Sequence, residues 1–204
     1  MSSDVAASTP SLRLVVLISG NGSNLQAIID DIDNNSLPAQ IVAVISNKPD
    51  AYGLERAKKA GIEQQVLSHK DFDSREHYDL ALKELIDQYQ PDLIILAGFM
   101  RILSNEFVHH YLNKMMNIHP SLLPKYKGLN THQRVIDAGD KEHGCSVHFV
   151  TPELDDGPVI LQAKITVDDN DTAESLAKKI HLQEHIIYPK AIRMFAIDKG
   201  IKCS

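Results

Sequence analysis

An asparagine and a histidine two residues apart are the most informative feature of the sequence. The segment Met116-Asn117-Ile118-His119-Pro120 is typical of a short strand that ends at a proline. Residues i and i+2 of a strand point to the same face, so Asn117 and His119 are expected to project together. Such a pair suits carbonyl chemistry, in which the amide polarises an oxygen and the ring supplies or removes a proton. A structural pair that bonds the backbone is the alternative.

A glycine-rich loop follows the first predicted strand and precedes a predicted helix. Its sequence is Ser19-Gly20-Asn21-Gly22-Ser23-Asn24. Backbone N–H groups in such a loop form an anion site together with the partial positive charge of the helix N-terminus. The dinucleotide fingerprint needs a third glycine where Leu25 stands, and the Gly-Lys-Ser/Thr sequence of a P-loop does not follow. The loop therefore predicts either phosphate binding or a tight, capped turn.

An acidic loop, Glu153-Leu154-Asp155-Asp156-Gly157-Pro158, lies between two late predicted strands. Most Asp-Gly turns are simply solvated. The functional alternative is that one carboxylate meets His119, where it would favour the protonated ring and fix its orientation. The two segments are far apart in sequence, so spacing leaves both interpretations open.

Composition is that of an ordinary globular protein. The chain has 204 residues, of which 43% are hydrophobic, a usual size for one α/β domain. A formal net charge of −6 disfavours nucleic acid as a partner, and the longest apolar run, Leu93–Ala97, is far shorter than a membrane span. Two cysteines fit a reducing compartment. We therefore expect a cytoplasmic protein with no membrane or nucleic-acid partner. We further expect small-molecule partners and a monomer or weak homodimer.

Strands and helices alternate in the first half of the chain. Continuous β-branched runs predict strands covered on both faces, at 14–18, 41–45, 65–67 and 93–97. Apolar residues at helical spacing follow two of these runs, at 25–32 and 78–89, and Asp73-Ser74-Arg75-Glu76 is a predicted N-cap region for the second helix. This alternation predicts a parallel sheet with right-handed crossovers.

The second half predicts a strand at 115–118, a pair of strands at 145–150 and 159–167, and a helix from 173 to 187. Pro189 is expected to interrupt that helix, which resumes over 190–197. The expected fold class is α/β, a Rossmann-like, mostly parallel sheet flanked by helices with an antiparallel late strand pair. We expect residues 1–11 to be a disordered tail and residues 12–204 to form one domain.

Four strings carry a resemblance to a known family. They are Val16 to Gln26, Leu96 to Leu103, Asn117 to Pro124, and Val147 to Asp155, and they occur in one order over most of the chain. Together they resemble the phosphoribosylglycinamide formyltransferases. The resemblance implies transfer of a formyl group from the co-substrate 10-formyltetrahydrofolate to the amine of glycinamide ribonucleotide in purine biosynthesis, without a metal. It also implies a cis peptide at Leu123–Pro124.

The resemblance further implies a role for each site residue. Asn117, His119 and Asp155 would be catalytic. The ribonucleotide would be bound by Gly22, Ser23, Asn24, Gln183 and Glu184. The folate would be bound by Arg75, Met100, Arg101, Ile102, Leu103, Asn117, Thr151, Pro152, Glu153, Leu154 and Asp155. One departure is Asp156, because many relatives have a small residue there.

Other functions account for fewer features of the sequence. His181-Leu182-Gln183-Glu184-His185 matches a zinc peptidase pattern, but a third ligand well downstream is lacking, since Asp198 is the sole acid after it. A non-catalytic nucleotide-binding module would leave Asn117 and His119 unexplained. Methionyl-tRNA formyltransferase lacks the Gly-Asn-Gly-Ser-Asn string, and formyltetrahydrofolate deformylase normally carries an extra N-terminal domain. We expect His109-His110 to be a solvated helix end.

Overall fold

One seven-stranded sheet forms the centre of the computed structural model, which describes residues 11–201. Residues 1–10 of the expected tail and residues 202–204 of the expected domain lie outside the described residues. The strand order is β3-β2-β1-β4-β5-β6-β7. The strands are β1 Leu12–Ile18, β2 Ala39–Ser46, β3 Gln64–Val66, β4 Leu93–Leu96, β5 Met115–His119, β6 Glu142–Phe149 and β7 Val159–Thr166. β1 to β5 pair in parallel and β6 and β7 antiparallel, which confirms the expected fold class.

Helices flank both faces of this sheet. They are α1 Ser23–Asp33, α2 Tyr52–Lys59, α3 Arg75–Gln88, α4 Asn105–His110, α5 Thr131–Asp137 and α6 Ala173–Asp198, with a 3₁₀ helix at His69–Asp71. The predicted N-cap of α3 is confirmed, because the Ser74 hydroxyl accepts from the His77 N–H at 3.1 Å. Helices α2 and α5 were not predicted, and of α4 only the end at His109-His110 was expected. Each of the three is eight residues or shorter, so its sequence shows little helical periodicity.

Successive residues of β1 enter two separate apolar clusters on the two faces of the sheet. Leu14 and Val16 belong to one cluster, while Val15 and Leu17 belong to the other. All four are fully buried, and burying such a side chain contributes about 1.5–3 kcal/mol. A strand buried on both faces needs apolar residues at every position, which is why the run is continuous rather than alternating.

The prediction that Pro189 interrupts the last helix is wrong. α6 runs unbroken from Ala173 to Asp198 with Pro189 inside it. Proline has no N–H to give to the carbonyl four residues earlier, so the helix loses one hydrogen bond there. Packing compensates, because the residues around the proline are buried against the sheet, and the Tyr188 hydroxyl lies 2.9 Å from the carbonyls of both Leu96 and Met116.

The order in which the chain adds strands to the sheet reverses at β1, and this reversal determines where a ligand can bind. The chain passes from β1 to β2 and β3 on one side and returns to β4 on the other. Loops that leave the carboxyl ends of neighbouring strands on opposite sides form a crevice, the usual ligand site of open α/β sheets. The loops after β1, β4 and β5 all leave from this edge.

Two further features bear on expectations from the sequence. The peptide bond between Leu123 and Pro124 is cis, as the resemblance implied. Among residues 11–201, no helix is long and apolar enough to cross a membrane.

Candidate active site

His119 lies at the end of β5 with its ring between two hydrogen-bond acceptors. Its Nδ1 is 3.4 Å from a carboxylate oxygen of Asp155, and its Nε2 donates to the Tyr126 carbonyl at 2.9 Å. The residue is only 6% exposed, so water cannot easily replace either partner. Each ring nitrogen of His119 thus faces an oxygen acceptor, and these two acceptors fix the orientation of the ring.

Asp155 reaches His119 from the acidic loop, and its backbone is held in an unusual conformation. Its φ is +50°, a left-handed value that costs a non-glycine residue about 1–2 kcal/mol. The carboxylate accepts from the Gly128 N–H at 2.9 Å and its side chain is 9% exposed. Of the two interpretations of this loop, the structure thus favours the one in which a carboxylate meets the histidine.

His148 on β6 lies beside Asn117 and Asp155, and it was not identified as a site residue from the sequence. Asn117 and His148 are directly opposite in the β5–β6 register, and the Asn117 amide lies 3.4 Å from the ring Nε2. The ring Nδ1 donates to the Phe149 carbonyl at 2.9 Å. Burial lowers the pKa of His148 and so favours the neutral ring. With its hydrogen on Nδ1, the neutral ring can accept from the Asn117 amide at Nε2 and orient it.

The glycine-rich loop leads into α1 with unpaired amides at the helix start. The first intrahelical bond runs from the Gln26 N–H to the Gly22 carbonyl at 2.9 Å, so the N–H groups of Ser23, Asn24 and Leu25 have no intrahelical acceptor. Within the described part of the chain, no side chain caps this helix at Gly22. The loop thus presents backbone donors at the crevice, as an anion site requires.

Two glycines let this loop pack closely against α2. Gly22 has a φ of +73°, and a Cβ there would lie 2.7 Å from the Gly53 Cα. The Gly53 N–H donates to the Gly20 carbonyl at 3.0 Å. The loop conformation therefore depends on Gly22 itself and on Gly53, whose part was not predicted from the sequence.

Glu184 is a buried carboxyl beside the glycine-rich loop. It is 5% exposed and accepts from the Asn24 side-chain amide at 3.0 Å. Burial raises the pKa of Glu184, and the Asn24 hydrogen bond opposes that shift. Gln183, its neighbour on α6, is half-buried. α6 thus brings Glu184 to the loop from 160 residues away in sequence.

The stretch Met100–Leu103, defined here as the folate wall after its expected role, borders the same crevice. Met100 and Ile102 are 65% and 68% exposed, so their apolar side chains are available to a ligand. The Arg101 guanidinium lies 5.3 Å from the centre of the Tyr78 ring. Leu103 packs against the same apolar cluster as Val150, the residue before the loop 151–155.

The remaining predicted folate residues lie at the margins of this region. Leu154 is 59% exposed, while Thr151, Pro152 and Glu153 precede it in the same loop, and the Thr151 hydroxyl donates to the Glu153 carbonyl. Arg75 starts α3 and pairs with Glu76 at 3.2 Å. Of this loop, the structure brings Asp155 into contact with His119, whereas Arg75 lies on the outer surface.

The histidines outside the cluster have other surroundings. His181 and His185 stack on α6 with ring centres 6.4 Å apart, and Glu184 between them bonds Asn24. Among residues 11–201, no group of three or more metal-ligating side chains is close enough to hold an ion. His109 and His110 end α4 in exposed positions, which confirms the expected solvated helix end.

Comparison with known proteins identifies close relatives. Residues 12–192 match the family model described as formyl transferase. The chain is 57% identical over 185 residues to phosphoribosylglycinamide formyltransferase of Escherichia coli, covering 91% of this chain and 87% of that protein. It is 49% identical to the trifunctional purine biosynthetic protein adenosine-3 of Bos taurus, covering 90% of this chain but only 18% of that protein. The solved phosphoribosylglycinamide formyltransferase structure of Coxiella burnetii superposes with a TM-score of 0.89 at 53% identity, covering 93% of this chain and 89% of that one.

Proposed function

The chain belongs to the formyl transferase family, among its phosphoribosylglycinamide formyltransferases, and we propose that it transfers the formyl group of 10-formyltetrahydrofolate to the amine of glycinamide ribonucleotide in purine biosynthesis. One observation carries the assignment of the site. Asn117, His119 and Asp155 converge at the same edge of the sheet as the glycine-rich loop. A phosphate-bearing amine and a formylated folate can therefore meet there.

The reaction begins when the amine of the ribonucleotide attacks the formyl carbon. The carbonyl oxygen becomes an oxyanion, which the Asn117 side-chain N–H and a ring N–H of His119 stabilise by hydrogen bonding. For this step, the oxyanion replaces the Tyr126 carbonyl as the acceptor of the His119 Nε2–H.

Collapse of the tetrahedral intermediate breaks the bond between the formyl carbon and N10 of the folate. The attacking amine must lose a proton and N10 must gain one. His119, Asp155 and a bound water relay that proton, with the carboxylate balancing the positive charge on the ring. The products are the formylated ribonucleotide and tetrahydrofolate, and the step uses no metal.

The two ligands occupy opposite sides of this cluster in our proposal. The phosphate binds the free amides at Gly22, Ser23 and Asn24, and Gln183 and Glu184 contact the ribonucleotide. The folate binds between the folate wall and the loop 151–155, with Asn117 at the base of its site and Arg75 at the outer end. The wall is Met100, Arg101, Ile102 and Leu103, and the loop is Thr151, Pro152, Glu153, Leu154 and Asp155. The protein acts in the cytoplasm as a monomer or weak homodimer.

Incubation of the purified protein with both substrates tests the function directly. We expect tetrahydrofolate and formylated ribonucleotide to form in equal amounts, as measured by mass spectrometry. The matched control is glycinamide ribonucleoside without its phosphate, which we expect to be a poor substrate. Equal use of the two amines would overturn the assignment of the glycine-rich loop to phosphate.

Gly22→Val should weaken ribonucleotide binding while leaving folate binding mostly intact. A β-branched residue disfavours a φ of +73°, and its Cβ would lie 2.7 Å from the Gly53 Cα. We expect the ribonucleotide Kd from calorimetry to rise on the order of 10-fold or more, because the amides that hold the phosphate are displaced. The control is Gly61→Ala, since Gly61 also has a positive φ but has open space around it. Equal loss of both ligands would indicate general misfolding instead.

Glu184→Gln should make the protein more stable and a weaker ribonucleotide binder. Because burial raises the pKa of Glu184, the folded state binds its proton more tightly than the unfolded state does. Its ionisation therefore destabilises the fold as the pH rises above the unfolded value near 4.5. We expect a higher Tm than the parent at pH 8 and a smaller difference at pH 4, with each kcal/mol worth about 2–4 °C. Calorimetric melts at both pH values measure this, and a lower Tm at pH 8 contradicts it.

A further inference from the structure

The hydroxyl of Ser19 joins the two halves of the crevice. Ser19 follows the last residue of β1 and is 4% exposed. Its Oγ accepts from the Met100 N–H at 2.8 Å and donates to the Asn47 side-chain oxygen at 2.6 Å. Both bonds span long separations in sequence, 81 and 28 residues. One buried hydroxyl therefore ties the ends of three adjacent strands, β2, β1 and β4, to each other.

The second partner, Asn47, is also held in place. It is 2% exposed, and its amide nitrogen lies 3.3 Å from the His69 Nδ1. The chain of bonds from Met100 through Ser19 and Asn47 to His69 is thus anchored beyond the sheet in the 3₁₀ helix. Buried hydrogen bonds of this kind are rigid, because an unpaired group away from water is costly.

Each end of Ser19 faces a different ligand site. Its backbone is the start of the glycine-rich loop, whereas its side chain bonds Met100, the first residue of the folate wall. At the other end of that wall, the Ser104 N–H donates to the buried carboxylate of Asp79 at 2.5 Å. Asp79 lies on α3, so it fixes the wall without contacting the glycine-rich loop. A change in the glycine-rich loop would therefore reach the folate wall through Ser19 and not through Asp79.

We propose that Ser19 is a positioning residue that fixes the folate wall relative to the glycine-rich loop, so that ribonucleotide and folate each strengthen the binding of the other. This inference rests on the proposed function for the identity of the two ligands. A phosphate bound by the loop amides favours the loop conformation described above, and through the Ser19 hydroxyl it favours the same position of the Met100 N–H. The coupling is reciprocal, because two ligands that favour one arrangement favour each other equally.

The test measures the affinity for tetrahydrofolate by calorimetry with and without saturating glycinamide ribonucleotide. Tetrahydrofolate has no formyl group, so both ligands can be present without reaction. In the parent we expect the ribonucleotide to tighten folate binding several-fold. In Ser19→Ala we expect folate binding to weaken on the order of 10-fold, the scale for leaving a polar group without its partner. We also expect the effect of the ribonucleotide to vanish. KM for the folate should rise more than kcat falls.

Three variants separate positioning from general damage. Ser46→Ala is the matched control, because Ser46 is a fully buried serine at the end of β2 whose hydroxyl bonds the local carbonyl of Lys48 at 2.8 Å. It should keep the parent's coupling. Ser19→Cys fills the same space with a poor hydrogen-bonding group and should behave like Ser19→Ala. Asp79→Asn should leave the effect of the ribonucleotide on folate affinity unchanged.

The outcomes are distinct. If the parent does not transfer formyl groups at all, the proposed function fails and this inference fails with it. If the parent is active but its two ligands bind independently, or if Ser19→Ala keeps the coupling, the inference alone is overturned. Restoration of coupling by Ser19→Cys, or its loss in Ser46→Ala, would assign the effect to packing and overturn the inference as well.

Discussion

Asp155→Asn lowers kcat on the order of 10²-fold or more, the usual scale for losing general acid–base assistance. Asparagine preserves the shape of the side chain and tolerates the left-handed φ of +50° that this position requires. It can also keep the bond from the Gly128 N–H. What it removes is the negative charge 3.4 Å from the His119 ring, which balances the ring's positive charge in the transition state.

Substrate affinities should change much less than kcat in this variant, because the charge acts mainly in the transition state. Steady-state kinetics with each substrate varied in turn give kcat and both KM values. The neighbouring Asp156→Asn is the matched control. Asp156 pairs with Lys127 but its side chain is 52% exposed, and such surface pairs contribute little. If both variants keep activity within a few-fold of the parent, Asp155 is only a turn residue and the proton relay must be reassigned.

Asn117→Ala is expected to lower kcat by about 10²–10³-fold, the loss measured when a single oxyanion donor is removed. KM values for the two substrates should stay within a few-fold, since the amide donates to charge that develops only in the transition state. Rapid-quench measurement of a single turnover isolates the chemical step. A loss confined to KM would indicate that Asn117 binds substrate without stabilising the intermediate.

A second variant tests how the Asn117 amide is oriented. His148→Phe keeps an aromatic ring of similar size but removes the Nε2 that lies 3.4 Å from the amide. We expect a smaller loss in kcat, on the order of 10-fold, because the donor remains but is no longer fixed. Adding His148→Phe to Asn117→Ala should then cost little more, since residues that act through one another are not additive. Full additivity would exclude this orienting role.

Much of the fold could be predicted from the sequence, because strands buried on both faces of a parallel sheet have continuous apolar runs. The runs at 14–18, 41–45 and 93–97 mark β1, β2 and β4 to within a few residues. The Ser74 cap is local as well, since its bond joins residues only a few positions apart. The glycine-rich loop is recognisable from its local sequence, but its packing against Gly53 was decided by the fold. The prediction that Pro189 interrupts the last helix was wrong because it used only the local effect of proline. The tertiary packing that keeps α6 continuous does not show in the local sequence.

The same distinction between local and tertiary information applies to the candidate site. That Asn117 and His119 share one side of a strand follows from the period of two, and the sequence by itself determined it. That Asp155 reaches His119, that His148 lies beside Asn117, and that Ser19 and Glu184 make long-range hydrogen bonds were decided only by the tertiary structure. These contacts link residues 28 to 160 positions apart. A sequence pattern records the chemistry and local conformation of each residue, but not the distance between segments that the fold brings together.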